Sequence, residues 1–257
     1  MSEKIMRGRT FKIKIDGQTA EIIMTRPEVL NAANWDWMND LHEALDEVEA
    51  TDDLRAVVIS GEGRSFSTGI DLKSLSLGEI TTEWFHSWER AMRRIEMLRS
   101  ITIARMHGYA IGGGLQVALA CDLRVASEDA QMGLPAVLEA LIPGLGTHRL
   151  PRFIGIGRAR RMILTGELIS AKEALAIGLV DWVFPEKEIA RMTRDVIEKL
   201  SAGSKTAQYF SKMLVNTAFD KDAEAACEIY LDYQTRAIAS AEHKAAMENY
   251  RRLKGIG

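Results

Sequence analysis

Residues 101–127 read ITIARMHGYAIGGGLQVALACDLRVAS. A β-branched strand from Ile101 to Met106 runs into the turn His107-Gly108 and three glycines at 112–114; an apolar helical run to Cys121 and a second strand, Leu123 to Ala126, follow. Glycine weakens a helix interior by roughly 0.5–1 kcal/mol relative to alanine, so the triplet makes better sense at a helix start. Unpaired amides and the positive end of the helix dipole lie there, which suits a carbonyl oxygen gaining negative charge. The same glycines also fit close helix–strand packing, and the stretch alone leaves both readings open.

The rhythm of short strand, glycine turn and helix recurs upstream, where Ala56 to Ser60 runs into Gly61-Glu62-Gly63 and the stretch GEGRSFSTGIDLK at 61–73. Earlier still, the alternation Phe11 to Ile15, the turn Asp16-Gly17 and the run Ala20 to Met24 predict a β-hairpin. Helical spacing of Trp37, Met38, Leu41, Leu45 and Val48 predicts an amphipathic helix over 36–50, and a second is expected over 81–98. From Pro185 the pattern is helical only, with one face formed by Ile189, Met192, Val196 and Leu200 and further helical stretches over 204–219 and 223–253. The expectation is an α/β core over 1–200 with a helical subdomain over 201–257.

Composition narrows the function. The chain has 257 residues, 47% hydrophobic and 27% charged, with a net charge of −3, which offers no general basic field for nucleic acid. The longest apolar run is too short and too interrupted to span a bilayer, and the N-terminal stretch lacks the apolar core of a signal peptide, so a cytoplasmic protein without membrane partners is expected. Two scattered cysteines and five histidines without HxH or HxxxH spacing predict no metal site. Residues 61–73 match neither a phosphate-binding loop nor a dinucleotide fingerprint, and Ser67 stands where a nucleophile elbow after Ser65 needs glycine, which argues against a serine hydrolase.

Taken together, FSTGIDLK at 66–73 and HGYAIGGGLQVALACDLRVAS at 107–127 resemble the crotonase superfamily, also called the enoyl-CoA hydratase/isomerase family. Met24-Thr25-Arg26-Pro27 with Leu30-Asn31-Ala32, Met132 to Pro135, Ile142 to Gly146 with Arg149-Leu150, and Leu164 to Val180 fall in the family's order, so the likeness covers roughly 11–183. The resemblance implies an α/β spiral of ββα repeats with a helical C-terminal trimerisation subdomain, assembled as a homotrimer or a hexamer. It also implies acyl-CoA thioester substrates, with coenzyme A entering as part of the substrate and no permanently bound cofactor. By position, the backbone N–H groups of Thr68 and Gly113 would form an oxyanion hole. Ala32, Thr68, Gly69, Ile70, Asp71, Leu72, Lys73 and Gly113 would line the coenzyme A site. Trp84, Phe85 and Trp88 fall in the region bordering the acyl pocket, although core-facing aromatics on an amphipathic helix are the preferred explanation.

The acid–base positions depart from the family. Its hydratases carry one glutamate two residues after the glycine triplet and one after the proline of a Gly-x-Pro-Glu stretch; here Gln116 and Ala136 stand there. An amide can hold water but cannot exchange a proton near neutral pH, and alanine can do neither, so efficient enoyl-CoA hydration is not expected. Glu139, one helical turn beyond Ala136, is the leading replacement base, with His107 and Tyr109 as weaker candidates. The sequence thus predicts a lyase or isomerase of this family performing enolate chemistry, isomerisation included. Its alternative is a non-catalytic acyl-CoA-binding protein.

Overall fold

In the computed structural model, which describes residues 4–256, the opening alternation forms three antiparallel strands, β1 (Lys4–Arg7), β2 (Phe11–Asp16) and β3 (Thr19–Met24). Phe11 and Ile13 point into the core while Lys12 and Lys14 stay partly exposed, as a half-buried strand requires. Asn34 caps the helix α1 (Trp35–Ala50) by accepting from Trp37 N at 3.0 Å, and the chain returns as β4 (Ala56–Gly61), parallel to β3. Two helices, α2 (Leu72–Ser76) and α3 (Thr82–Met97), lead to β5 (Ile101–Met106), parallel to β4.

A small second sheet starts with β6 (Tyr109–Ile111). The helix α4 (Gly113–Ala120) carries the chain back to β7 (Leu123–Ser127), beside β5. β8 (Gln131–Gly133) joins β6 in parallel. After α5 (Gly146–Ile154) and α6 (Ile156–Thr165), β9 (Ile169–Ser170) pairs antiparallel with β8. α7 (Ala171–Ala176) and β10 (Trp182–Phe184) complete the seven-stranded sheet, in the order β1-β2-β3-β4-β5-β7-β10. Bridges Ala33–Ile70 and Ser67–Ala110 extend the second layer to the earlier turns. Each repeat therefore contributes a long strand, a short second-layer segment and a helix, which is the expected ββα spiral.

Every residue of α4 is buried, including Gln116, the one polar side chain in that helix. On α1 and α3 the buried stripe carries Trp37, Trp84 and Trp88, whose rings stack at 5.4 Å (Trp37–Trp88) and 5.1 Å (Trp84–Trp88). Such aromatic pairs add about 0.5–1.5 kcal/mol each to the burial of their area. Neither the short strands β6, β8, β9 and β10 nor β1 was anticipated from sequence. With two to four residues each, they are too short to show a period.

By its internal contacts the chain divides into two compact units, one ending at Asp195 and one beginning at Val196, against the expected division at 200. The boundary falls inside α8 (Ile189–Ser201), whose continuous helical pattern hides it from the sequence. The second unit contains α9 (Lys205–Val215), α10 (Ala223–Ala239) and α11 (Ala241–Lys254). The helical stretch expected over 223–253 is therefore broken at Ser240, which is extended (ψ 151°) and whose side chain accepts from His243 N at 3.1 Å to cap α11. Glu242 in turn caps α9, accepting from Ser204 Oγ at 2.6 Å and from the N–H groups of Lys205 and Thr206 at 3.1 and 3.0 Å. Among the described residues, no helix is long and apolar enough to cross a membrane.

Candidate active site

The glycine-rich turn after β4 is organised by Asn31. Its fully buried side chain donates from Nδ2 to the carbonyls of Glu62, Ser65 and Phe66 at 3.0, 2.9 and 3.1 Å, and its Oδ1 accepts from Arg26 N at 2.9 Å. Ser67 Oγ donates to Asn31 O, and Ser65 Oγ to Tyr109 O, both at 2.9 Å. Both hydroxyls are thus committed to holding the turn, which agrees with the reading against a serine nucleophile.

The turn meets the start of α4 closely. A Cβ on Gly69 would stand 2.4 Å from Gly113 N, and one on Gly114 would stand 2.2 Å from Ser67 O, so neither position can carry a side chain without moving backbone. Gly112, with φ 54° and ψ −123°, holds a conformation that side-chain-bearing residues avoid, and it starts the helix. Both readings of the triplet are therefore correct: 114 is glycine for packing, while 112 and 113 open the helix.

The amides of these turns that face the cavity without an acceptor among the described residues include Ile70 N and Gly113 N but not Thr68 N. Thr68 N already donates to Leu30 O at 3.1 Å, so it is not available to a ligand. The next bridge explains which amide is. Ala33 N bonds Gly69 O at 2.7 Å and Asp71 N bonds Ala33 O at 2.9 Å. In a parallel bridge of this kind the central residue, Ile70, keeps its own N–H on the opposite side of the strand. No described residue accepts from Ile70 N. Gly113 N is also open, because the first residue of a helix has no intrahelical acceptor. On this side of the contact the open amide is therefore that of Ile70, in sequence only a coenzyme-lining candidate, while the Thr68 amide expected there is already bonded.

These amides border a cavity of about 1050 Å³. Ala32, Thr68, Ile70, Asp71, Leu72, Lys73 and Gly113 line it; of the expected coenzyme-site residues only Gly69 does not, lying behind the wall against Gly113. Trp84, Phe85 and Trp88 form another part of the wall, with Trp37 stacked behind Trp88, so these aromatics serve core and cavity at once. His107 and Tyr109 do not line it: His107 Nε2 is bonded to Gly63 O at 2.9 Å, and Tyr109 lies exposed in β6. Their candidacy as proton donors is not supported. Asp122 accepts from Thr102 N and Oγ1 at 2.7 and 2.9 Å, a structural contact.

Among the described residues, three carboxylates reach the cavity: Asp71, Glu89 and Glu139. Asp71 is engaged elsewhere, pairing with Arg26 Nη2 at 3.2 Å and capping α2 through Lys73 N and Ser74 N. Glu139 closes a 3₁₀ turn over Pro135–Glu139 in place of the α-helical turn expected, and since side chains three apart eclipse in that helix it still stacks over Ala136. It is exposed and forms no hydrogen bond or ion pair with a described residue. Glu89 was missed by the sequence reading, although it lies four residues after Phe85 and thus on the same helix face. Its Oε1 accepts from Leu145 N at 3.1 Å and its Oε2 from Arg149 Nη1 at 2.9 Å. Burial pushes the Arg149 guanidinium down, but its hydrogen bonds to Glu96 and Glu89 outweigh that and hold it above the usual arginine value. Among the described residues no group of three or more His, Cys, Asp or Glu could hold a metal ion.

The model of the enoyl-CoA hydratase/isomerase family matches residues 14–254. The chain belongs to that family. A short-chain-enoyl-CoA hydratase from Clostridium acetobutylicum is 31% identical over 248 residues, covering 94% of this chain and 95% of that one. Among solved structures, an enoyl-CoA hydratase from Thermoplasma volcanium superposes with a TM-score of 0.88 at 29% identity, covering 94% of this chain and 97% of its own. A Thermobifida fusca protein classed as an enoyl-CoA hydratase and solved with acetoacetyl-CoA gives a TM-score of 0.83 at 28% identity, over 90% and 95% of the two chains. In this chain the glycine turns and the cavity occur together with Gln116 and Ala136.

Proposed function

We propose that the protein is an acyl-CoA thioester enzyme that holds the thioester oxygen between the N–H groups of Ile70 and Gly113 and stabilises the enolate formed there. The observation that carries this reading is the pair of open amides from touching turns at the wall of one cavity. Donors fixed in advance at a developing oxyanion are typically worth about 2.7–4 kcal/mol each in the transition state, because nothing has to reorganise when charge appears. Gly113 adds the N-terminal dipole of α4 to its own hydrogen bond. Residues Leu72 and Lys73, at the start of α2, would face the coenzyme portion, with the Lys73 ammonium available to a phosphate. Asp71 positions this segment through Arg26 and the α2 cap. Glu28, whose charge would oppose coenzyme phosphates, is exposed and does not line the cavity.

The catalytic reading is favoured over simple binding because two carboxylates, Glu89 and Glu139, remain on the cavity wall despite Gln116 and Ala136. Either can take up a proton from the carbon next to the thioester carbonyl, the step shared by isomerisation and other enolate chemistry. The test is exchange of the α-hydrogens of a saturated acyl-CoA in D₂O, followed by mass spectrometry. Deuterium incorporation above the enzyme-free rate is expected. Tight binding without exchange would favour the binding protein, and absence of binding would refute the thioester reading altogether. Assembly as trimers or hexamers is proposed from the resemblance alone, with sedimentation velocity as its test.

A further inference from the structure

Gln116 Oε1 and Glu89 Oε1 converge on one spot of the cavity wall. A Cβ built on Gly144 would stand 3.0 Å from the first and 3.1 Å from the second, so only a glycine leaves the space between them clear. Gln116 is 6% exposed, and its Oε1 accepts no hydrogen bond although it is buried. A buried acceptor left without a donor is costly unless a ligand or water supplies one. Glu89 Oε1 accepts one bond from Leu145 N, and a carboxylate oxygen has capacity for a second. Arg149, 6% exposed and bonded to both Glu89 and Glu96, fixes the other Glu89 oxygen.

Building on the thioester reading, we propose that Glu89 and Gln116 together hold one water molecule against the bound acyl group, and that Glu89 is the catalytic base and acid that adds this water across an α,β-double bond. Water donates one hydrogen to Gln116 Oε1 and one to Glu89 Oε1, which leaves its lone pairs facing the substrate. The water oxygen bonds to the β-carbon as Glu89 takes its proton. The displaced π electrons pass to the thioester oxygen, held by Ile70 and Gly113. The resulting enolate then takes the same proton from Glu89 at the α-carbon, so one water is added and the carboxylate is regenerated. Gln116 exchanges no proton; it fixes the water, as an amide can. On this proposal a carboxylate from α3, a different element, takes the place left by Ala136, in opposition to the poor hydration expected from positions 116 and 136 alone.

The test compares the wild type with Glu89→Gln and Glu96→Gln on a panel of trans-2-enoyl-CoA thioesters, with binding of the corresponding saturated acyl-CoA measured alongside. Glu89→Gln keeps the shape of the side chain and should lower hydration by about 10²–10⁴-fold while leaving saturated thioester affinity within about threefold. Glu96→Gln disturbs the same arginine without touching the cavity and should retain most of the activity, which separates proton transfer from mere support of Arg149. Hydration in Glu89→Gln within about threefold of wild type, equal losses in the two variants, or a wild type that binds saturated thioesters but hydrates none of the panel would each overturn the proposal. Failure of the wild type to bind any thioester would instead defeat the underlying reading, and this proposal with it.

Discussion

Replacing Asn31 by alanine removes the side chain that ties the glycine-rich turn to the rest of the fold. In the native protein its Nδ2 serves the buried carbonyls of Ser65 and Phe66, and its Oδ1 serves Arg26 N. Each buried polar group left without a partner costs about 1–3 kcal/mol, so three of them imply roughly 3–6 kcal/mol after some relief from entering water. Asn31 also has φ 57°, where alanine is strained by about 1–2 kcal/mol and asparagine is better tolerated. Asn31→Gly loses the same hydrogen bonds without that strain. Urea denaturation at fixed protein concentration should therefore show Asn31→Ala destabilised by about 4–8 kcal/mol and Asn31→Gly by roughly 1–2 kcal/mol less. That loss is comparable to the whole stability of many domains, about 5–15 kcal/mol, so poor expression of the alanine variant is also expected. A loss under about 1.5 kcal/mol for alanine, or a glycine variant less stable than alanine, would refute the assignment of Asn31 as the anchor of the turn.

At the helix start, Gly114→Ala should be more damaging than Gly113→Ala. The first brings a methyl to 2.2 Å from Ser67 O, a backbone atom, and the second to the longer distances of 2.9 Å from the edge of the Trp88 ring and 3.1 Å from Gly69 Cα; thermal unfolding of the two variants checks the order. In the helical unit, burial pushes the Glu242 carboxyl up, but hydrogen bonds from Ser204 and from the backbone of Thr206 and Lys205 outweigh it and hold its pKa at about 2, below the ordinary 4.5. A carboxyl depressed by folding contributes stability that is complete above the unfolded value and lost as pH falls from about 4.5 toward 2. An acid titration followed by circular dichroism should show that loss, and Glu242→Gln should flatten it. For the α-hydrogen exchange reaction, Glu139→Gln should slow deuterium incorporation less than Glu89→Gln, because Glu139 stands exposed without a positioning partner whereas Glu89 is held by Leu145 N and Arg149.

The architecture was legible because its strands of five or six residues and its amphipathic helices carry clear periods: the hairpin, β4, β5, β7, α1 and α3 all lie close to where spacing puts them. The motif pair at 66–73 and 107–127 likewise located both sides of the cavity. The finer assignments depend on quantities that a linear sequence does not express. Thr68 and Ile70 differ in that Thr68 N is bonded to Leu30 O while pairing with Ala33 turns the Ile70 N–H aside, and both partners lie more than thirty residues away. Glu89 is a charged residue among charged neighbours on an amphipathic helix, and its contact with the turn carrying Gly144 and Leu145 at the cavity has no counterpart in the local sequence. The break at Ser240 is a one-residue change in an otherwise continuous helical pattern.

The most direct measurement of the oxyanion assignment is the infrared spectrum of a saturated acyl-CoA carrying ¹³C at the thioester carbonyl, recorded free and bound. If Ile70 N and Gly113 N both donate to that oxygen, the bound carbonyl is polarised and its stretching band moves to lower frequency. A bound thioester whose band stays at the solution position would mean that these amides do not hold the carbonyl.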